Sequence, residues 1–196
     1  MDSQNTRGFV EVVVGPMYSG KTEELVRRMV RRVYGKQNVL LCTKDTRYGH
    51  GVTVSHAGRK MESCYVEKAE DILALDLSNV SVIGIDEGQF FGPRLMEVCL
   101  ELSYRGKIVY VAALDMDYLE KPFENVAYLM AVAESVTKLA AVCVLCGKDA
   151  TRSHRKIRST ERVLEGDSES YEALCRPCYL ESSSDGKVSR VAGPTG

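Results

Sequence analysis

Two adjacent carboxylates, Asp86 and Glu87, end the apolar run in VSVIGIDEGQFF at residues 80–91. Side by side, each disfavours ionisation of the other, so the arrangement calls for positive charge from elsewhere in the chain. GPMYSGKT at residues 15–22 supplies it and matches G-x-x-x-x-G-K-[ST]. Gly15 and Gly20 let the backbone of Pro16, Met17, Tyr18 and Ser19 curl until successive N–H groups converge on phosphate oxygens. Lys21 then reaches the outer phosphates and Thr22 offers its hydroxyl to Mg²⁺, while a helix opening at Thr22 adds its positive end. An ordinary glycine turn would not need a lysine and a threonine in this order, so nucleoside triphosphate binding is expected.

In such proteins the carboxylate that holds Mg²⁺, directly or through water, ends a strand, and Asp86 stands at that position. Consecutive side chains at a strand tip face different ways, which frees Glu87 to take a proton from whatever attacks the γ-phosphate. The acids alone leave open whether that is water or a substrate hydroxyl. The bland alternative, two solvated loop acids, is disfavoured by the cradle.

A second chemistry lies in Cys143-x-x-Cys146 and Cys175-x-x-Cys178. Each pair puts two thiolates on a tight turn, and two turns complete a tetrahedron around Zn²⁺ with no open position, a structural site. The 28 residues between the pairs exceed ordinary ribbon spacing, so the metal would pin the ends of a long loop. That loop carries Arg152, His154, Arg155, Lys156, Arg158 and Arg162 before running on through LEGDSESY. It reads either as a nucleic-acid-binding ribbon or as a lid over a small substrate, although few aromatics are interleaved for base stacking. His154 needs no ligand role, since four thiolates fill the site. Cys42, Cys64 and Cys99 lie in apolar or helical settings and read as buried filler.

The elements that must position these groups follow from periodicity. Strands are expected at 9–14, 38–43, 80–85, 107–113 and 136–142, with helices after the cradle to Gly35 and around 94–104. Glu23 and Glu24 near the first helix's start and arginines toward its end suit the helix dipole. Unbroken apolar strands alternating with helices predict an α/β fold with a P-loop-type parallel sheet covered on both faces. The expected division is a nucleotide-binding domain at 1–142, a small zinc-binding domain at 143–181 and a mobile tail at 182–196.

Composition narrows the class. With 26 basic and 27 acidic residues the formal net charge is −1, so no bulk attraction to nucleic acid or membrane is expected. No apolar run approaches the ~20 residues of a membrane helix, and the polar start MDSQNTRGF lacks a signal-peptide core. A cytoplasmic protein is expected, in which seven cysteines are thiols or ligands rather than disulfides.

Taken in order, GPMYSGKT, DTRY at 45–48, DEGQFF at 86–91, AALDMDYLEKPF at 112–123 and the paired CxxC motifs resemble the zinc-containing, cytosolic-type II thymidine kinases, from about Phe9 to Tyr179. The resemblance implies a P-loop α/β domain followed by a zinc domain with a lasso loop, assembled as a homotetramer. It implies transfer of the ATP γ-phosphate to the 5′-hydroxyl of thymidine with Mg²⁺, in pyrimidine salvage, and inhibition by dTTP. Glu87 falls on the family's catalytic base and Asp86 on its acidic partner near Mg²⁺, with Lys21 and Arg47 as the catalytic cations. Asp45, Thr46 and Arg47 match the phosphate-donor and acceptor segment, which Gly88 and Gln89 complete. Met17, Phe90, Leu114, Tyr118 and Phe123 fall where the family walls the nucleoside pocket. Arg162, Val163, Leu164, Glu165 and Gly166 match lasso residues whose backbone groups bond thymine and sugar, with Tyr171 the aromatic beside them and Ser153 at the base pocket. Tyr118 stands where phenylalanine is common, Ser153 where threonine is, Arg152 where an aromatic is, and Glu165 where the lasso is often apolar; these departures bear on selectivity among thymidine, deoxyuridine and analogues. A zinc-bearing ATPase acting on nucleic acid is the competing reading, weakened by the near-neutral charge and the absence of a second motor domain. A pure binding module would leave Lys21, Thr22, Asp86 and Glu87 without a use.

Overall fold

The computed structural model describes residues 8–44, 62–157 and 170–182. Six strands form one parallel sheet: β1 (Phe9–Gly15), β2 (Val39–Thr43), β3 (Glu62–Tyr65), β4 (Val82–Ile85), β5 (Ile108–Leu114) and β6 (Ser135–Lys138), in the spatial order β3-β2-β4-β5-β1-β6. The chain crosses between strands through α1 (Lys21–Tyr34), α2 (Ala69–Ile72), α3 (Leu95–Tyr104) and α4 (Glu124–Val132). Parallel strands need such crossovers, and covering both faces is what makes the central strands apolar throughout.

Alternation along the strands sorts side chains into two layers. Val109, Val111 and Ala113 of β5 join Val10, Val12, Val14, Ile83 and Ile85 in the larger layer, with Leu95, Cys99 and Leu102 of α3 and Val126 and Leu129 of α4. Ile108, Tyr110 and Ala112 turn the other way, onto Leu25 and Met29 of α1. Each of those two α1 residues is fully buried, stabilising the docked helix by roughly 1.5–3 kcal/mol. Glu23 and Glu24 lie in the first turn of α1 and Arg31 and Arg32 in its last, complementing the dipole as expected.

The strand expected at 136–142 is shorter. Leu139 donates its N–H to the Val14 carbonyl at 2.8 Å, and the chain then leaves the sheet. Ala141–Val142 becomes β7, antiparallel to β8 (Asp149–Ala150). The strand-like lettering of 136–142 hid a change of sheet, because residues on either side of the break are equally suited to pairing. β3 and α4 were not anticipated: β3 is a four-residue edge with the sequence ESCY, and α4, ENVAYLMAV, lacks a clean polar face.

After β8 come β9 (Arg152–Arg155), β10 (Tyr171–Leu174), paired antiparallel, and α5 (Arg176–Ser182). Ala141, Cys143, Ala150, Ala173, Leu174, Cys175 and Tyr179 form a separate small core, too small to hold these pieces together without a further constraint. Among the described residues no helix is long and apolar enough to cross a membrane.

Candidate functional site

The cradle forms where β1 meets α1. Gly20 takes a left-handed conformation, φ 79°, open to glycine at no steric cost, and its carbonyl receives the Glu24 N–H at 3.0 Å. Ser19 Oγ and Lys21 Nζ both donate to the Pro16 carbonyl, at 2.8 and 2.7 Å. Lys21 thus folds back over the loop to a spot from which a phosphate can recruit it. Burial pulls the Lys21 pKa below its usual value, opposed by the charges of Glu87, Asp86 and Asp115.

β4 delivers the acids. Asp86 is 4% exposed, and Thr22 donates its hydroxyl to the Asp86 carboxylate, 3.0 Å from Oδ2 and 3.2 Å from Oδ1. Burial and then the neighbouring Glu87 charge push the Asp86 carboxyl up to about 6, against the Thr22 hydrogen bond. A carboxylate held this far from water beside a hydroxyl is the donor set Mg²⁺ uses in nucleotide sites, so Thr22 and Asp86 fit that ion.

Glu87 has a left-handed backbone, φ 56°, and its carboxylate has a different partner from that of Asp86. Gln89 donates from Nε2 to Glu87 Oε2 at 2.5 Å and accepts the Leu114 N–H on Oε1 at 2.9 Å, tying the acid to the end of β5. Gly88 leaves no room for a side chain: a Cβ there would lie 2.7 Å from Val111 Cγ1. Buried Asn125 closes the turn by donating from Nδ2 to the carbonyls of Gly88, Gln89 and Gly92 at 3.2, 3.4 and 3.1 Å. Sequence reasoning missed Asn125; an asparagine at the start of a helix carries no signal that it serves a loop 33–37 residues away.

The small module abuts the cradle. Ser153 Oγ accepts the Met17 N–H at 3.0 Å, and Tyr18 donates its hydroxyl to the Tyr171 carbonyl at 3.3 Å. Arg155 places its guanidinium 3.6 Å from the centre of the Tyr118 ring and 5.3 Å from that of Tyr171, whose hydroxyl it also bonds at 2.7 Å. Arg152 pairs with Glu120 at 2.6 Å, and Tyr179 donates to the Tyr118 carbonyl at 2.7 Å. Met17, Tyr118, Ser153 and Tyr171 therefore come together, with Arg155 as the unforeseen organiser between two aromatics. Phe90 is exposed at the rim, Leu114 is half-buried at the end of β5, and Phe123 is 6% exposed and packs into the larger core layer. Asp45, Thr46, Arg47, Arg162, Val163, Leu164, Glu165 and Gly166, and the tail from 183 on, lie outside the described residues.

The four cysteines Cys143, Cys146, Cys175 and Cys178 converge, their sulfurs all within 4.8 Å of one another. Cys146 and Cys175 Sγ are 3.5 Å apart, close to the roughly 3.8 Å between thiolates in a tetrahedron with 2.3 Å zinc–sulfur bonds. Burial opposes ionisation of Cys143, but N–H groups of Cys175, Leu145 and Cys146 outweigh it and bring the thiol down to about 6. The cluster fits a metal ion such as zinc.

Comparison with known proteins decides the family. The sequence profile of the family described as Thymidine kinase matches residues 8–179. The chain belongs to the thymidine kinase family. A thymidine kinase of Bdellovibrio bacteriovorus is 47% identical over 174 residues, covering 88% of this chain and 85% of that protein. One from Bacteroides fragilis is 44% identical over 175 residues, 88% of this chain and 87% of its own. Among solved structures, the flagellar accessory protein FlaH of Methanocaldococcus jannaschii superposes with a TM-score of 0.54 at 11% identity, covering 74% of this chain and 76% of that one. At that identity the likeness speaks for the fold alone; the thymidine kinase motifs, not the sheet, carry the family.

Proposed function

We propose that this thymidine kinase family member transfers the γ-phosphate of ATP to the 5′-hydroxyl of thymidine, and of deoxyuridine, giving the 5′-monophosphate and ADP. The observation that carries it is the division of partners between the two acids: Asp86 accepts from Thr22 at 3.0 Å, while Glu87, on a left-handed backbone, accepts from Gln89.

The residues of the cradle, Gly15 to Thr22, wrap the phosphates with their N–H groups, and Lys21 leaves the Pro16 carbonyl for a phosphate oxygen. Thr22 and Asp86 would hold Mg²⁺, which when bound neutralises phosphate charge. Glu87, oriented by Gln89, accepts the proton of the 5′-hydroxyl as that oxygen attacks. Arg47, with Asp45 and Thr46, stabilises charge spreading over the transferred oxygens. Met17, Phe90, Leu114, Tyr118 and Phe123 wall the nucleoside, Ser153 and Tyr171 flank it, and backbone groups of 162–166 read the base. Main-chain donors and acceptors suffice for a pyrimidine edge, and closing the segment over the sugar excludes water, favouring transfer over hydrolysis. Cys143, Cys146, Cys175 and Cys178 would hold Zn²⁺, which when bound would fix both ends of that segment and lower the entropy lost on closure.

The protein is proposed to be cytoplasmic, to be inhibited by its end product dTTP and to assemble as a homotetramer. Support for assembly comes from β6, an edge strand with Val136 40% exposed, and from Tyr128 and Val132 of α4, exposed by 60% and 37%. Light scattering on the purified protein reads the assembly, and a monomer would reject it.

The activity test is a coupled assay for ADP. Release should require thymidine, fall on adding dTTP and be indifferent to single-stranded DNA. Turnover driven by DNA with thymidine inert would instead establish a nucleic-acid-dependent ATPase.

A further inference from the structure

Cys42 and Cys64 belong neither to the phosphate cradle nor to the four-thiol cluster. They are paired in register on adjacent parallel strands, β2 and β3, on the face of the sheet covered by the larger core layer. Their sulfurs lie 3.6 Å apart and both are free thiols. Neighbouring strands run about 4.8 Å apart, inside the Cα range a disulfide tolerates, and a bond of about 2.0 Å needs the sulfurs to close by only about 1.5 Å. Side-chain rotation on an edge strand can supply that.

The two thiols are not equivalent. Cys42 is sealed in the core, whereas Cys64 is half-buried at the sheet edge. The contact with Cys42 holds the Cys64 thiol below its usual range, against burial, and a thiolate within reach of solvent is the form that oxidants meet. Cys42 is also wired to the reaction centre, because its carbonyl accepts the Asp86 N–H at 3.0 Å, the residue whose carboxylate lies under Thr22.

We propose that Cys42 and Cys64 are an oxidisable dithiol that a peroxide converts to a disulfide, reversibly slowing phosphoryl transfer by displacing the β2 backbone whose Cys42 carbonyl holds the Asp86 N–H. The Cys64 thiolate attacks one peroxide oxygen; the O–O bond breaks, leaving Cys64 as a sulfenic acid and releasing hydroxide, which leaves as water. The Cys42 sulfur then attacks the Cys64 sulfur, the S–O bond breaks, and the departing hydroxide takes the Cys42 proton as a second water. The two thiols lose two electrons and the peroxide gains them. A dithiol reductant reverses the step by exchange.

The test uses the full-length protein with its metal content measured before and after hydrogen peroxide. A non-reducing tryptic digest should contain the peptide 37–44 joined to 61–68, QNVLLCTK to MESCYVEK. The thymidine-dependent rate should fall about tenfold, as expected when a catalytic group is displaced by a fraction of an ångström, and dithiothreitol should restore it. C64S should keep its untreated rate, lack the joined peptide and resist peroxide. Cys42 joined instead to Cys99, sulfinic acid on Cys64 with no joined peptide, or loss of rate in C64S equal to that of the native protein with zinc released would each overturn the proposal. The peptide readout stands whatever reaction the enzyme catalyses; only the rate readout rests on the kinase reading.

Discussion

Glu87 occupies a backbone conformation that costs a non-glycine residue of order 1–3 kcal/mol, φ 56°, and its carboxylate is held by Gln89 rather than left to solvent. Such a cost is sustained where a side chain must be aimed. Glu87→Gln keeps the shape and removes the basicity, so kcat should fall by about 10²–10⁴ while ATP affinity is retained; single-turnover kinetics with equilibrium ATP binding checks both, and an unchanged rate removes Glu87 from the mechanism. Asp86 also costs the folded state stability at neutral pH. Its carboxyl is raised to about 6 by burial and by Glu87, above the ~3.9 of an unfolded aspartate, so the folded state binds the extra proton. Its favourable contribution is present below about pH 4 and is lost as pH rises through about 6. Asp86→Asn, without nucleotide, should therefore be more stable than the native protein at pH 7 by about 1–3 kcal/mol, the gap vanishing near pH 3.5, and inactive throughout. Urea titrations at the two pH values decide it.

On the scale of elements, α1 couples the cradle to the sheet through a charge network. Glu24 accepts from Arg27 and Arg28 at 2.6 and 2.8 Å, and Arg28 reaches on to Glu11 of β1 at 2.8 Å and Thr137 of β6 at 2.8 Å. The hydrogen bond from Arg27, joined by that from Arg28, lowers the Glu24 carboxyl to about 2. Because the folded value lies below the unfolded one of ~4.3, this contribution is present above about pH 4 and is lost as pH falls through about 2. Solvent screening of a partly exposed pair limits it to about 1 kcal/mol. Glu24→Gln should cost that much at pH 7 and nothing at pH 2; thermal unfolding at both values tests the sign, which is opposite to that at Asp86.

At the scale of the whole molecule, two bodies meet at the cradle: the sheet with its helices, and the cysteine module whose Ser153 and Tyr171 touch Met17 and Tyr18. The module's apolar core is small, so the binding energy of a metal held by the four thiols would be folding energy. Removing it with a chelator, or by Cys175→Ser, should raise the thymidine KM several-fold and lower the Tm while ATP binding in the larger body persists. Metal analysis of Cys175→Ser with full zinc retained would refute the ligand set.

The cradle, the acid pair, the four thiols and the parallel sheet were legible in the sequence because each is local: a glycine spacing, an apolar run, a CxxC turn. Strand alternation predicts separate roles for Asp86 and Glu87; the left-handed backbone at Glu87 and the partners Gln89 and Asn125 that hold the turn were visible only in three dimensions. Arg155 between Tyr118 and Tyr171, and Cys42 facing Cys64, join residues distant along the chain. So does the division of 136–142 between two sheets, since 136–138 pairs with β1 and Ala141–Val142 with β8. Local patterns fix which backbone conformations are affordable, whereas pairing across the chain depends on how whole elements dock, and that is decided by packing in three dimensions.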